Sequence, residues 1–144
     1  MAPTIWIVDD EPLLRAAIVA VLEETGYQPR GFGRAEELYT ALIDGEQPDL
    51  LILDHMLPDE SGALIVRTLR ERTEYRDIPI LFLTAVGRDE ADRLRDLAPV
   101  LRKPFDFRDF VGMVEAQLAT TRPTQDDLSE DSSEAVALGD SNPE

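Results

Sequence analysis

The 144-residue chain is long enough for one domain with a buried core, and its 43% hydrophobic and 31% charged residues are typical of a globular protein. Its formal net charge of −16 argues against direct binding of nucleic acid or of an anionic membrane surface, because both need clustered Lys and Arg. The absence of cysteine excludes disulfides, thiolate zinc sites and thiol catalysis.

No apolar run approaches the roughly 20 residues of a membrane span. The N-terminus lacks the basic and then apolar pattern of a signal peptide, since acidic residues follow the first short apolar run. We therefore expect a cytoplasmic protein.

The first part of the chain alternates two strand patterns with two helix patterns. Thr4–Val8 is a short apolar run, typical of a central parallel strand covered on both faces. Pro12 suits the first turn of a helix, and Tyr27–Phe32 predicts a weaker strand, at an edge because Pro29 lacks an N–H group. The apolar residues that mark the two helices are Leu14, Ile18, Val21 and Leu22 for the first, and Leu38, Leu42 and Ile43 for the second.

The remaining strand patterns are Leu50–Leu53, Ile78–Leu83 and the short Val100–Arg102. Three helices follow them, and Ser61 and Asp106 are the expected N-caps of the first and the last of these. The helix patterns are Leu64, Ile65, Thr68 and Leu69; the weakly apolar Arg88–Leu97; and Phe107, Phe110, Val111, Val114 and Leu118.

The composition changes after residue 118. Residues 119–144 contain seven acidic residues, one basic residue (Arg122) and no aromatic residue. Such a segment buries too little apolar surface to offset the entropy lost on ordering. We predict a folded domain over residues 1–118 and a disordered acidic tail over residues 119–144.

Five strands that alternate with five helices predict an α/β fold, a three-layer sandwich around a parallel sheet. In such sheets ligands bind beyond the carboxyl ends of the strands. Each strong strand is followed there by a polar residue. These are Asp9, Asp10 and Glu11 after the first strand, Asp54 after the third, Thr84 after the fourth and Lys103 after the fifth.

Converging carboxylates repel one another by roughly 4 kcal/mol per pair at 4 Å and an effective dielectric of 20, so the site needs a cation. Mg²⁺ prefers such oxygen ligands, and Lys103 and Thr84 suit the oxygens of a phosphoryl group. A carboxylate can act as the nucleophile that forms an aspartyl phosphate, which indicates Asp54 as the acceptor. Each residue alone is a weak signal, because strand-end Asp and Thr often serve only as caps or turn formers.

The motifs VDDEP at Val8–Pro12, LDHMLPDESG at Leu53–Gly62, TA at Thr84–Ala85 and KPF at Lys103–Phe105 resemble the response-regulator receiver family. The resemblance covers residues 4–118. It implies a flavodoxin-like fold, a five-stranded parallel sheet of order 2-1-3-4-5, and a cis Lys103–Pro104 peptide.

By the same resemblance, Asp54 is the phosphoacceptor, Thr84 the switch hydroxyl and Lys103 the partner of the phosphoryl group. Mg²⁺ would be bound by Asp9, Asp10, Asp54 and the Met56 carbonyl. The implied role is two-component signal transduction, in which a sensor histidine kinase or histidine phosphotransfer protein donates the phosphoryl group. Output would pass to a downstream protein target, or the chain would act as a relay or sink, and a homodimer is compatible with the family. Beyond Mg²⁺-dependent self-phosphorylation and self-dephosphorylation we expect no enzymatic activity.

Three departures from the family pattern have consequences. Val100 replaces an aromatic residue often found three positions before the lysine, and the stretch from Thr84 to Lys103 is a few residues short. Met56 and Val86 occupy the positions whose side chains flank the attacking water, and neither hydrogen-bonds water strongly. The sequence therefore predicts slow self-dephosphorylation. His55, the single histidine, is interpreted as a packing or surface residue rather than a relay donor.

Two other classes use similar residues. A hydrolase of the haloacid-dehalogenase type also needs an Asp nucleophile, Mg²⁺, Thr and Lys, but it needs a second Asp where Met56 stands, and its nucleophile follows the first strand. A phosphorylation-independent interaction module would fit Val100 and the short fourth helix, whereas the complete acidic cluster with Lys103 argues against it.

Overall fold

The structure, a computed structural model, describes residues 2–121 and contains all ten predicted elements. In chain order they are β1 Thr4–Val8, α1 Pro12–Thr25, β2 Gln28–Phe32, α2 Ala35–Ile43, β3 Leu50–Leu53, α3 Gly62–Arg70, β4 Ile80–Thr84, α4 Arg88–Leu94, β5 Val100–Arg102 and α5 Phe107–Thr121. The strands form one parallel sheet of order β2-β1-β3-β4-β5. The predicted flavodoxin-like α/β fold is confirmed.

The central strands are buried on both faces. Every residue of β3 and β4 is buried, although successive side chains point to opposite faces of a sheet. Trp6 and Val8 join a core cluster that also contains Leu38 and Ile65 of α2 and α3. Ile7, which lies between them in the strand and points to the other face, is fully buried as well. Helices therefore cover both faces, as the apolar strand runs predicted.

Two helices each expose one residue of the predicted apolar stripe, while most of the stripe is buried. Ile43 at the end of α2 is 78% exposed and Leu64 in α3 is 50% exposed. On α3 the buried positions include Ile65, Val66 and Leu69. Apolar spacing defined the helices correctly, but it did not define which flank of the stripe faces the sheet.

Predicted details at the element ends are also confirmed. Ser61 accepts a hydrogen bond from the Leu64 N–H (3.2 Å), and Asp106 Oδ1 accepts one from the Arg108 N–H (2.6 Å). The Lys103–Pro104 peptide is cis. Strand β4 begins at Ile80 rather than Ile78 and includes Thr84, whose carbonyl accepts the Lys103 N–H across the β4–β5 pair (2.8 Å).

Strand β2 lies at an edge of the sheet, as Pro29 predicted. Gln28 donates its N–H to the Pro3 carbonyl (2.9 Å), and the Phe32 carbonyl accepts the Asp9 N–H (3.0 Å). Alternate residues of a parallel strand bond to the same neighbour, so Pro29 and Gly31 face the open edge. Beyond the strand, the Gly33 N–H donates to Glu37 Oε1 (2.8 Å).

The chain divides by its internal contacts within α5, into residues 1–114 and residues 115–144. Of the second unit, the structure describes residues 115–121, which continue α5 three residues past the predicted boundary at 118. The rest of the predicted acidic tail, residues 122–144, lies outside the described residues. Within residues 2–121, no helix has the length and apolar character needed to span a bilayer.

Asp59, in the loop between β3 and α3, caps helix α2 from a distance in sequence. Its Oδ1 accepts the Ala35 N–H and its Oδ2 accepts the Glu36 N–H, both at 3.0 Å, while Arg34 at the N-cap position supplies no side-chain bond. Partial burial raises the pKa of Asp59, but these N–H groups outweigh burial and lower the pKa overall. The ionised carboxylate is therefore the form that caps the helix.

We expect Asp59→Ala to lower the free energy of unfolding at pH 7 by about 1 kcal/mol, the usual cost of a lost cap. Because the folded-state pKa of Asp59 is lowered, its stabilisation is present above the unfolded pKa of about 3.9 and is lost as pH falls through the folded value. Urea unfolding at pH 7 and at successively lower pH measures this. The exposed Asp96→Ala is the control, and a pH-independent difference for Asp59→Ala would contradict the ionic cap.

Candidate functional site

Four strands deliver their polar residues to one edge of the sheet, as predicted. Asp9, Asp54 and Thr84, which are 1%, 5% and 0% exposed, are the buried polar residues among those described. Lys103 Nζ lies 2.8 Å from Asp9 Oδ2, 3.3 Å from Asp54 Oδ2 and 3.1 Å from Glu11 Oε1. Lys103 is the single lysine of the chain. It bridges the ends of β1, β3 and β5.

The acidic residues are close enough for their charges to interact strongly. Asp9, Asp10 and Asp54 each offer a carboxylate oxygen, and these oxygens all lie within 4.8 Å of one another. Burial raises the pKa of Asp9, although its hydrogen bond with Lys103 acts in the opposite direction. Burial would lower the pKa of Lys103, but its contacts with Asp9 and Asp54 outweigh burial and raise it. Lys103 is therefore a permanent cation at neutral pH.

This donor set fits Mg²⁺. It consists of hard carboxylate oxygens, and Asp10 is exposed to solvent, so water can reach the remaining positions that Mg²⁺ fills with water or phosphate oxygens. The Met56 N–H donates to Asp54 Oδ1 (3.1 Å), which places the Met56 backbone next to the acidic cluster. The role of the Met56 carbonyl as a ligand stays a prediction.

The Thr84 hydroxyl is buried and has no hydrogen-bond partner in the protein. Among the described residues, no other buried side-chain oxygen or nitrogen lacks a partner. An unpaired buried hydroxyl costs about 1–3 kcal/mol. Thr84 ends β4, and its carbonyl is bonded to the Lys103 N–H. An anionic oxygen bound between Asp54 and Lys103 would give this hydroxyl an acceptor.

His55 follows Asp54 and is held at both ring nitrogens. Nδ1 accepts the Ala63 N–H of the first turn of α3 (3.2 Å), so the proton is on Nε2, which lies 3.0 Å from Glu90 Oε2 in α4. The ring packs edge-on to Phe82. These contacts support the interpretation of His55 as a packing residue.

The sequence placed Glu11 at this edge, and Glu11 does contact Lys103 (3.1 Å). Sequence reasoning missed two other residues around the site: Arg15 Nη1 donates to the Asp9 carbonyl (2.6 Å), and Gly62 packs against the backbone that follows β3. Val86, expected to flank the attacking water, is instead 5% exposed and belongs to the core cluster.

A model of the response regulator receiver domain matches residues 5–115. The chain belongs to this family. The phosphate regulon transcriptional regulatory protein PhoB of Escherichia coli is 36% identical over 129 residues, which cover 85% of this chain and 55% of PhoB. The protein of the same name from Rhizobium meliloti is 38% identical over 127 residues, with the same coverage. The chain thus spans about half the length of these curated relatives.

Solved structures agree with the family. The receiver domain of a signal transduction histidine kinase from Syntrophus aciditrophicus superposes with a TM-score of 0.76 at 27% identity, over 95% of this chain and 98% of that one. The chemotaxis response regulator CheY4 of Vibrio cholerae, at 22% identity and a TM-score of 0.72 over 81% and 98% of the chains, shows the shared fold. The predicted receiver resemblance is therefore confirmed.

Proposed function

We propose that this receiver takes a phosphoryl group onto Asp54 from a sensor histidine kinase or histidine phosphotransfer protein, with Mg²⁺ bound by Asp9, Asp10, Asp54 and the Met56 carbonyl. The observation that carries the proposal is the cationic bridge of Lys103 to both Asp9 and Asp54, at 2.8 and 3.3 Å. A structural role alone does not account for three carboxylates gathered around one lysine, because such a cluster is costly to maintain.

The backbone and side-chain groups of the site have different roles in the transfer. The Met56 N–H and Lys103 Nζ bind different oxygens of Asp54, at 3.1 and 3.3 Å, and so fix the plane of the attacking carboxylate. As the new O–P bond forms and the bond to the donor breaks, Lys103 neutralises a phosphoryl oxygen and the Thr84 hydroxyl donates to another. Mg²⁺, when bound, supplies further positive charge to the same oxygens.

The receiver would signal through protein contacts, as a switch whose phosphorylation state selects partners, or as a relay or sink. The curated relatives are named as transcriptional regulatory proteins, and this chain matches about half of their length. The expected lack of nucleic-acid binding, the cytoplasmic location and a homodimer stay predictions. We propose no enzymatic activity beyond self-phosphorylation and self-dephosphorylation.

A phosphorylation-independent interaction module is the second candidate. Two observations favour it: α4 spans only seven residues, and the position of the usual aromatic residue is occupied by Val100, which is 7% exposed. A module of this kind would keep the acidic cluster and Lys103 for structure alone.

One experiment separates the two candidates. The chain is incubated with acetyl phosphate with and without Mg²⁺, and its intact mass is measured, with Asp54→Asn as the matched control. The proposal expects the addition of one phosphoryl group, in the presence of Mg²⁺ only, and none in the variant. If the wild-type chain binds Mg²⁺ but takes up no phosphoryl group, the interaction module is the correct reading.

We predict that the phosphorylated form hydrolyses slowly. Met56 offers only a weak thioether acceptor, and the Val86 side chain is in the core, so neither orients an attacking water. Met56→Asn, which adds an amide at this position, is expected to speed loss of the phosphoryl group on the order of tenfold. Met56→Leu is the control of similar size. A wild-type lifetime of seconds would contradict the prediction.

A further inference from the structure

Arg15 of α1 reaches across strand β2 to the backbone of the acidic cluster. Its Nη1 donates to the Asp9 carbonyl at 2.6 Å. This carbonyl belongs to the peptide that joins Asp9 to Asp10. Arg15 therefore holds the Asp9–Asp10 peptide group in place. The orientation of this peptide group determines the position of the Asp10 Cα atom, from which the Asp10 side chain extends.

Asp9 and Asp10 differ in how they are held. The Asp9 side chain is fixed by two contacts, from the Glu11 N–H to Oδ1 (2.9 Å) and from Lys103 to Oδ2 (2.8 Å). The Asp10 side chain is exposed, and within residues 2–121 it has no hydrogen bond or ion pair. Its place in the acidic cluster depends on the backbone alone.

The sequence of β2 leaves room for Arg15. A Cβ atom at Gly31 would lie 3.1 Å from both Cγ and Cδ of Arg15, and one at Gly33 would lie 3.3 Å from its Nη1. Both distances are tighter than ordinary van der Waals contact. Neither glycine adopts a positive φ, so backbone conformation does not explain them. Because Gly31 and Gly33 have no side chains, they leave a space that the Arg15 side chain occupies on its way to Asp9. We call this space the track of Gly31 and Gly33.

We propose that Arg15 is a positioning residue for the metal site: by binding the Asp9 carbonyl along the track of Gly31 and Gly33, it holds Asp10 where Mg²⁺ needs it. The inference rests on the proposed function. Residues that orient metal ligands typically contribute 10–100-fold to metal affinity. The alternative is that Arg15 acts only through its charge.

The two explanations predict opposite signs. A guanidinium near the acidic cluster repels a divalent cation, so removing its charge alone would tighten Mg²⁺ binding. Removing a positioning contact weakens Mg²⁺ binding. Arg15→Gln therefore separates geometry from charge, and Gly31→Val obstructs the side chain while every charge is retained. Valine is favoured in strands, so Gly31→Val is compatible with folding.

The test is calorimetric titration of Mg²⁺ into the full chain, with thermal unfolding in EDTA to show that each variant is folded. We expect the dissociation constant to rise about tenfold in Arg15→Gln and in Gly31→Val. The double variant should be no weaker than Arg15→Gln alone, since both changes remove one contact. Gly112→Val is the matched control, because a Cβ there meets nothing within 4 Å.

Unchanged or tighter Mg²⁺ binding in Arg15→Gln, or unchanged binding in Gly31→Val, would overturn the inference while the proposed function stands. Weaker binding in both variants, together with a wild-type chain that takes up no phosphoryl group, supports the inference and counts against the proposed function alone. A wild-type chain that binds no Mg²⁺ overturns both.

Discussion

Lys103→Met is expected to have two opposite effects, a loss of about 3 kcal/mol of stability without Mg²⁺ and a gain in affinity for Mg²⁺. Lys103 is the cation that contacts both Asp9 (1% exposed) and Asp54 (5% exposed). Breaking a buried ion pair by removing one partner leaves an uncompensated charge, which accounts for the stability loss. The same lysine competes electrostatically with a metal ion, so its removal should tighten Mg²⁺ binding about tenfold.

Urea unfolding in EDTA and at saturating Mg²⁺ measures both effects. The stability difference between Lys103→Met and the wild-type chain should shrink when Mg²⁺ is added, because the ion takes over the neutralising role. Arg108→Met, an exposed cation in the first turn of α5, is the control and should change neither quantity appreciably. Equal destabilisation with and without Mg²⁺ would show that Lys103 and the metal do not share the acidic cluster.

Gly62→Ala is the second substitution with a large expected effect. A Cβ atom at Gly62 would lie 2.7 Å from both the Asp54 carbonyl oxygen and the His55 Cα, and 3.1 Å from Phe82 Cε1. Two of these atoms belong to the backbone, so no side-chain rotation relieves the overlap. The Gly62 N–H also donates to the His55 carbonyl at 2.7 Å. Relief requires moving the start of α3 away from the end of β3.

We expect Gly62→Ala to lower the free energy of unfolding by about 3 kcal/mol, the upper part of the range for overpacked cores. Because the displaced segment carries Asp54, the variant should also be phosphorylated more slowly under conditions in which it is fully folded. Gly112→Ala, in open space on α5, is the control and should be neutral or stabilising. If Gly62→Ala has the stability of the wild-type chain, the backbone after β3 can move to accommodate the added Cβ atom at little cost in free energy, and the prediction is wrong.

The site residues were predictable because each lies at the end of a strand or just after it. Asp9, Asp54 and Lys103 directly follow β1, β3 and β5, and parallel strands bring their carboxyl ends to one edge. The role of Arg15 and the need for Gly62 depend on how closely one backbone segment approaches another, which the pattern of apolar residues does not encode. The exposure of Ile43 and Leu64 was missed for a related reason, since the stripe of a helix does not specify its rotation against the sheet.

The open edge of β2 has a consequence for assembly. Pro29 has no N–H group to offer, the Gly33 N–H is already bound to Glu37, and Gly31 is left as the donor between them. An added strand needs a row of regularly spaced donors and acceptors, which this edge does not present. Fibre growth or strand exchange through β2 is therefore disfavoured.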